Sequence, residues 1–211
     1  MKISGGVREN DIVIGNNYDK YGSKNPVVRL LMSGFHASLA EFVERVSPRT
    51  IHEIGCGEGF WSMQWNRQKI YARGSDFSEQ VIEMARDNAV MHGLPAEIFK
   101  QRSIYDLCPE EDGADLIVCC EVLEHLDAPD AGLSALQKVV EQHVILSVPV
   151  EPLWRVLNCL RGKYLRQLGN TPGHRQHWSS TEFRRLVSRY FDIIDVKTPL
   201  PWVMVLARAQ N

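Results

Sequence analysis

The chain has 211 residues, 44% of them hydrophobic and 24% charged, a balance that fits one globular core and excludes disordered, collagen-like and coiled-coil chains. Its formal charge of −2 supplies no overall positive field, which argues against a nucleic-acid partner. Five cysteines, at 56, 108, 119, 120 and 159, form neither a CxxC pair nor an even disulfide framework, and no run approaches the ~18–20 apolar residues of a spanning helix, so a reducing cytoplasm is the expected location.

The N-terminal segment NNYDKYGSKNP is polar and irregular, and it reads either as a cover over a ligand site, with Tyr21 touching the ligand, or as a flexible terminus. Residues 26–46 place Leu31, Phe35, Leu39, Phe42 and Val43 at helical spacing, which predicts a helix before the first strand, RTIHEIG. A glycine-rich turn follows, then a helix from about Gly59 and a second strand, KIYARGSD, ending at Asp76. Ser78 is placed to cap a helix that runs to His92 and is stopped by Gly93 and Pro95. EIFKQRS, ADLIVCC and HVILSVP read as further strands, the last two being continuous apolar runs expected of strands covered on both faces. Ser179 to Glu182 forms an S-x-x-E capping box, and Phe183, Leu186, Val187 and Tyr190 give the following helix its apolar stripe. The chain ends in two strands too close for a helical crossover, hence an antiparallel hairpin on an otherwise parallel α/β sheet.

The densest local signal is Glu53-Ile-Gly-Cys-Gly-Glu-Gly59, an acid in the first strand followed by G-x-G-x-G at the strand-to-helix turn, where glycine lets backbone approach a ligand. A dinucleotide fingerprint needs a third glycine where Phe60 stands, and no GK-[ST] string completes a phosphate loop, so NAD and nucleoside triphosphates are disfavoured. Asp76, at the end of the second strand, is placed to accept ribose hydroxyls, and together with the glycine loop it implies an adenosine-bearing cofactor; alone, it would be read as the residue before a helix cap. CCEVLEHL follows the fourth strand. If that stretch is helical, Glu121, Glu124 and His125 share one face at i, i+3 and i+4.

From Thr50 to the terminal hairpin the chain resembles the class I S-adenosylmethionine-dependent methyltransferases, with EIGCGEGFW as their first motif, GSDFS as their second and CCEVLEHL as the segment facing the transferable methyl. Within that class it is similar to the ubiquinone-pathway O-methyltransferases of the methyltransferase type 11 group. The resemblance implies a Rossmann-like, seven-stranded, mostly parallel sheet with helices on both faces and a C-terminal antiparallel hairpin. It implies one domain over 1–211, with a cover and helix at 1–48 and an acceptor-side lid at 150–178. S-adenosylmethionine is the implied cofactor: Glu53, Gly55, Cys56, Gly57 and Gly59 lie by its methionine part, Asp76 on its ribose, Phe77, Ser103 and Ile104 by its adenine, and Glu121 near the methyl. Many members carry Asp where this chain has Ser103.

The implied reaction is in-line methyl transfer to a small-molecule or lipid-like acceptor, at a hydroxyl oxygen, with Glu121, His125 and His174 as the catalytic candidates. Three readings of the cluster stay open. His125 takes the acceptor's proton, with a glutamate orienting it; or Glu121, Glu124, His125 and His174 hold Mg or Mn, as a similar Glu-x-x-Glu-His segment and a later His do in small-RNA 2′-O-methyltransferases; or Glu124 and His125 only hydrogen-bond within the helix and its neighbouring loop. An RNA methyltransferase and a non-catalytic S-adenosylmethionine-binding domain are the alternative functions. The 150–178 stretch has five basic residues against one acid. It reads as a phosphate- or carboxylate-holding acceptor segment, as a peripheral membrane contact through 150–166, or as a lid helix with a solvated basic face.

Overall fold

The computed structural model describes all residues except 10, 11, 17, 161–167, 169, 172 and 211. A small antiparallel ribbon, β1 (Arg8–Glu9) with β2 (Ile12–Val13), precedes α1 (Pro26–Val46), whose first turn is capped by Asn25 accepting the N–H groups of Val27 and Val28. Five parallel strands follow in sequence: β3 (Thr50–Ile54), β4 (Tyr71–Asp76), β5 (Phe99–Gln101), β6 (Ala114–Cys120) and β7 (Val140–Pro149). Between them run α2 (Phe60–Arg67), α3 (Glu79–Met91), the short α4 (Pro109–Asp112) and α5 (Pro129–Val139). Then come α6 (Leu153–Leu160), α7 (Ser180–Val187) and the antiparallel pair β8 (Phe191–Lys197) and β9 (Trp202–Ala209).

The sheet has the order β5-β4-β3-β6-β7-β9-β8, with β9 antiparallel to both neighbours. Alternate side chains of the central strands serve opposite cores, as continuous apolar strands require. Ile117 and Cys119 of β6 pack with Leu133 and Leu136 of α5 and Phe183 and Val187 of α7, whereas Leu116 and Val118 pack with Phe35, Leu39 and Phe42 of α1 and Trp61 and Trp65 of α2. From β3 the chain steps outward to β4 and β5, then returns to build β6 on the other side. The β3/β6 boundary is therefore the topological switch point, where an open α/β sheet leaves a crevice beyond the strands' carboxyl ends.

Ser78 caps α3, and Ser179 with Glu182 forms the reciprocal capping box of α7, as expected from the sequence. Two expectations change. The strand predicted over EIFKQRS is only Phe99–Gln101, preceded by a 3₁₀ turn at Ala96–Ile98, because β5 is an edge strand with three residues in register on β4. The helix considered for CCEVLEHL is absent. β6 stays in register with β7 through Cys120, Glu121 takes a left-handed φ of 62°, and a single 3₁₀ turn, Leu123–His125, follows. Among the described residues no helix is long and apolar enough to cross a membrane.

Candidate functional site

Beyond the carboxyl ends of β3, β4 and β6 lies a cavity of about 420 Å³, within the size range of small-ligand sites. Tyr21, Glu53, Gly55, Cys56, Gly57, Asp76, Phe77, Ser103, Ile104, Glu121, His125 and His174 all line it. Gly59 does not. Its glycine is explained by packing, since its φ is 84° and a Cβ there would lie 2.3 Å from the Phe99 ring.

At one end, the glycine loop is shaped by buried acids. Asp76 accepts the Gly57 N–H through one carboxylate oxygen and the Ser78 N–H through the other, both at 3.1 Å. Glu53 holds the start of α2 with one oxygen, accepting the Ser62 N–H at 2.9 Å and its hydroxyl at 2.6 Å. Desolvation pushes the Asp76 carboxyl up to about 6 and Glu53 up to about 7, against these stabilising hydrogen bonds. Phe77 is exposed beside them, and Ser103 caps the turn that carries Ile104.

At the other end, the left-handed Glu121 separates the acids that a helix would have aligned. Its carboxylate accepts the indole N–H of Trp202 at 2.6 Å, so Glu121 belongs to the β9 side of the cleft. Glu124, His125 and His174 are brought together instead, each offering a ligand atom within 4.8 Å of the others. His174 arrives on the loop after α6, which is pinned to the 3₁₀ turn because the Arg175 and Gln176 N–H groups both donate to the Glu124 carbonyl. The His125 Nδ1–H donates to the Gly173 carbonyl at 2.9 Å, which fixes its tautomer and leaves Nε2 with a lone pair. Glu124 is 1% exposed, and neither of its carboxylate oxygens has a hydrogen-bond partner among the described residues. Desolvation raises both Glu121 and Glu124 to about 8, lowers His125 and lowers His174 to about 3, so both imidazoles are neutral at neutral pH.

Leu31, Met32 and Phe35 of α1 add an apolar wall to the same cavity. Trp154 of α6 stacks against His174 at 6.1 Å, leans on Trp202 at 5.9 Å and donates its indole N–H to the Thr171 hydroxyl. Of the basic residues noted at 150–178, Arg161, Lys163 and Arg166 lie outside the described residues. Sequence reasoning did not single out Trp202, although the hairpin contained the signal: the first residue of an antiparallel strand beside β7 must lie at the carboxyl edge, and Trp202 pairs there with Pro149.

A family profile described as a methyltransferase domain matches residues 51–143, which hold the glycine loop, Asp76 and the Glu121–His125 segment. In fold, cleft and profile the chain is similar to the class I S-adenosylmethionine-dependent methyltransferases, the profile covering 93 of its 211 residues. Among curated proteins the chain is similar to the ubiquinone biosynthesis O-methyltransferase of Alkalilimnicola ehrlichii, 28% identical over 140 residues, covering 62% of this chain and 54% of that protein. It is likewise similar to that of Xanthomonas oryzae, 28% identical over 93 residues, covering 42% of this chain and 37% of that protein. The match thus spans about half the first relative's length and less of the second's. Its fold is shared with magnesium protoporphyrin IX methyltransferase from Synechocystis PCC 6803 with bound S-adenosylhomocysteine, at a TM-score of 0.66, 20% identity and 90% coverage of both chains.

Proposed function

We propose that the chain transfers a methyl group from S-adenosylmethionine to a hydroxyl oxygen of a small-molecule or lipid-like acceptor. The observation that carries this reading is the division of one cleft: a backbone loop and two buried carboxylates at one end, and a carboxylate–imidazole cluster under apolar walls at the other. When bound, S-adenosylmethionine supplies the methyl on a sulfonium, a good leaving group, so positioning of donor and acceptor accounts for most of the catalysis. In this assignment Asp76 accepts the ribose hydroxyls, the free oxygen of Glu53 faces the methionine ammonium, and Phe77, Ser103 and Ile104 border the adenine. Leu31, Met32, Phe35 and Trp154 bury an apolar acceptor, and the O-methyltransferase names of the curated relatives favour oxygen. His125, neutral and fixed with Nε2 unbonded, receives the hydroxyl proton.

A second reading is favoured by the Glu124 carboxylate, buried without a partner among the described residues, because a buried acid in that state calls for a cation or a proton. The donor set fits Mg or Mn: Glu124, His125 and His174 would hold the ion, with the His125 Nδ1–H bonded outward to a carbonyl as metal-bound imidazoles are. Such an ion would lower the pKa of the acceptor hydroxyl.

Calorimetric titration with S-adenosylmethionine and S-adenosylhomocysteine, with and without Mg, tests the reading. Micromolar binding that is lost in Asp76→Ala supports it, and absence of binding by the wild type under every metal condition overturns it.

A further inference from the structure

The methyl-transfer reading leaves one acid of the glycine loop without a task. Glu58 sits between Gly57 and Gly59, is 0% exposed and does not line the cleft. It has no ion pair among the described residues. Its charge is met by the N-terminal segment: Oε1 accepts the Ser4 N–H at 2.9 Å and the Asn16 N–H at 2.8 Å, and Oε2 accepts the Asn16 side-chain amide at 2.5 Å. Three N–H donors on one buried carboxylate offset its desolvation without a cation. Space for it exists because residue 15 is glycine, where a Cβ would lie 2.5 Å from Oε1.

The same tie is repeated on the backbone of Glu58. Its carbonyl accepts the Asn88 side-chain amide at 3.0 Å, and Asn88 also exchanges hydrogen bonds with both backbone groups of Lys2. Ser4 closes the two stretches on each other by donating its hydroxyl to the Ile14 carbonyl. Immediately downstream, Gly15, Asn16, Tyr18, Lys20 and Tyr21 line the cleft. Tyr21 lies flat on Phe60, with centroids 3.7 Å apart and planes within 6°, so the loop is gripped by this segment on both sides of Gly59.

We infer that Glu58 is a positioning residue that clasps the N-terminal segment onto the glycine loop, so that seating of the segment and binding of the methyl donor are one coupled event. The inference rests on the assignment of this cleft to the methyl donor. The segment then excludes water from the donor half of the site, and release of product requires the clasp to open.

The test uses the full chain with Glu58→Ala, Glu58→Gln and Asn16→Ala. Without any ligand, amide exchange at Ser4 and Asn16 is expected to quicken about 10-fold or more in Glu58→Ala. S-adenosylhomocysteine is expected to bind about 10-fold more weakly and to dissociate faster, with Glu58→Gln intermediate and KM for the donor rising more than kcat falls. Asn16→Ala, which leaves the loop sequence intact, is expected to show the same pattern more mildly and decides the matter if the Glu58 variants do not fold. Unchanged exchange at Ser4 and Asn16 overturns the clasp. Freed amides with affinity and off-rate within twofold of wild type overturn the coupling. A wild type that does not bind S-adenosylhomocysteine removes the donor assignment and the coupling with it, while the exchange measurement still decides the clasp.

Discussion

Binding of the methyl donor is expected to expel protons. In the ligand-free protein Asp76 has its carboxyl raised to about 6 and Glu53 to about 7, both by desolvation. At pH 6 these values leave Asp76 about half protonated and Glu53 about nine-tenths protonated. Ribose hydroxyls donating to Asp76 and an ammonium facing Glu53 favour the ionised forms, so the complex holds both as carboxylates. Saturation with S-adenosylhomocysteine should therefore release about 1.4 protons at pH 6 and about 0.1 at pH 8. The dissociation constant follows the fraction in which both acids are ionised and should be about 20-fold weaker at pH 6 than at pH 8. Folding stability has the opposite sign. An acid raised in the folded state binds more protons there than when unfolded, so Asp76 and Glu53 subtract stability from the ligand-free protein as pH rises from about 4 to 7, and Glu121 and Glu124, raised to about 8, extend that loss to about pH 8, while the lowered His52 and His174 contribute with the opposite sign below about 6.5. Calorimetry in two buffers of different ionisation enthalpy reads the proton count directly. A count near zero at pH 6, with affinity independent of pH, would refute the assignment of these two carboxylates to the ligand.

His125→Ala and His174→Ala should each lower turnover at least 100-fold while leaving S-adenosylhomocysteine affinity within about threefold, read by product formation and titration of the same preparations. Under the metal reading, Mn should raise the wild-type melting temperature but not that of His174→Ala, and a chelator should abolish turnover. Gly59→Ala forces a left-handed alanine against the Phe99 ring and should cost about 2–5 kcal/mol, seen in chemical denaturation. Ser179→Ala removes half of the α7 capping box and should cost about 1 kcal/mol, a fall of about 2–4 °C in melting temperature with donor affinity unchanged.

What the sequence made legible was what local chemistry decides. Apolar runs such as ADLIVCC become central strands because both faces are covered, and Ser78 and Ser179 cap helices because their hydroxyls reach orphan N–H groups within three residues. The glycine loop and Asp76 were legible for the same reason: strand, turn and helix are contiguous, and one of the acid's partners, Ser78, lies two residues on in the chain. The cluster at 121–125 was only half legible. Helical spacing put Glu121 and Glu124 on one face, but pairing with β7 carries the strand through Cys120, and the left-handed turn at Glu121 sends the two acids to different neighbours. Partners remote in sequence were not readable from any spacing: Ser4 and Asn16 reach Glu58 across 54 and 42 residues, and the Gly173 carbonyl meets His125 across 48.

The electrostatics of the cleft give a reason why its ligand should be cationic at its centre. Glu53, Asp76, Glu121 and Glu124 all line one cavity, each is raised by desolvation, and none forms an ion pair among the described residues. A site built to hold anionic phosphates would present N–H groups and an excess of cations, whereas here Lys20 and Arg102 line the cavity against these four acids and Arg102 is paired with Glu111 and Asp112. Buried acids without cations are costly in the empty protein, and the cost is recovered by a ligand that brings positive charge and hydroxyl donors into the same space. A sulfonium, an ammonium and a ribose diol meet that requirement together, whereas a dinucleotide with its pyrophosphate does not. The same reasoning sets the order of substitution effects. Neutralising Glu53 by Gln should weaken S-adenosylmethionine more than adenosine alone, because adenosine lacks the ammonium that Glu53 faces, whereas Asp76→Asn should weaken both, because both carry the ribose hydroxyls. An equal loss for the two ligands in Glu53→Gln would show that Glu53 acts by shaping the loop and not by its charge.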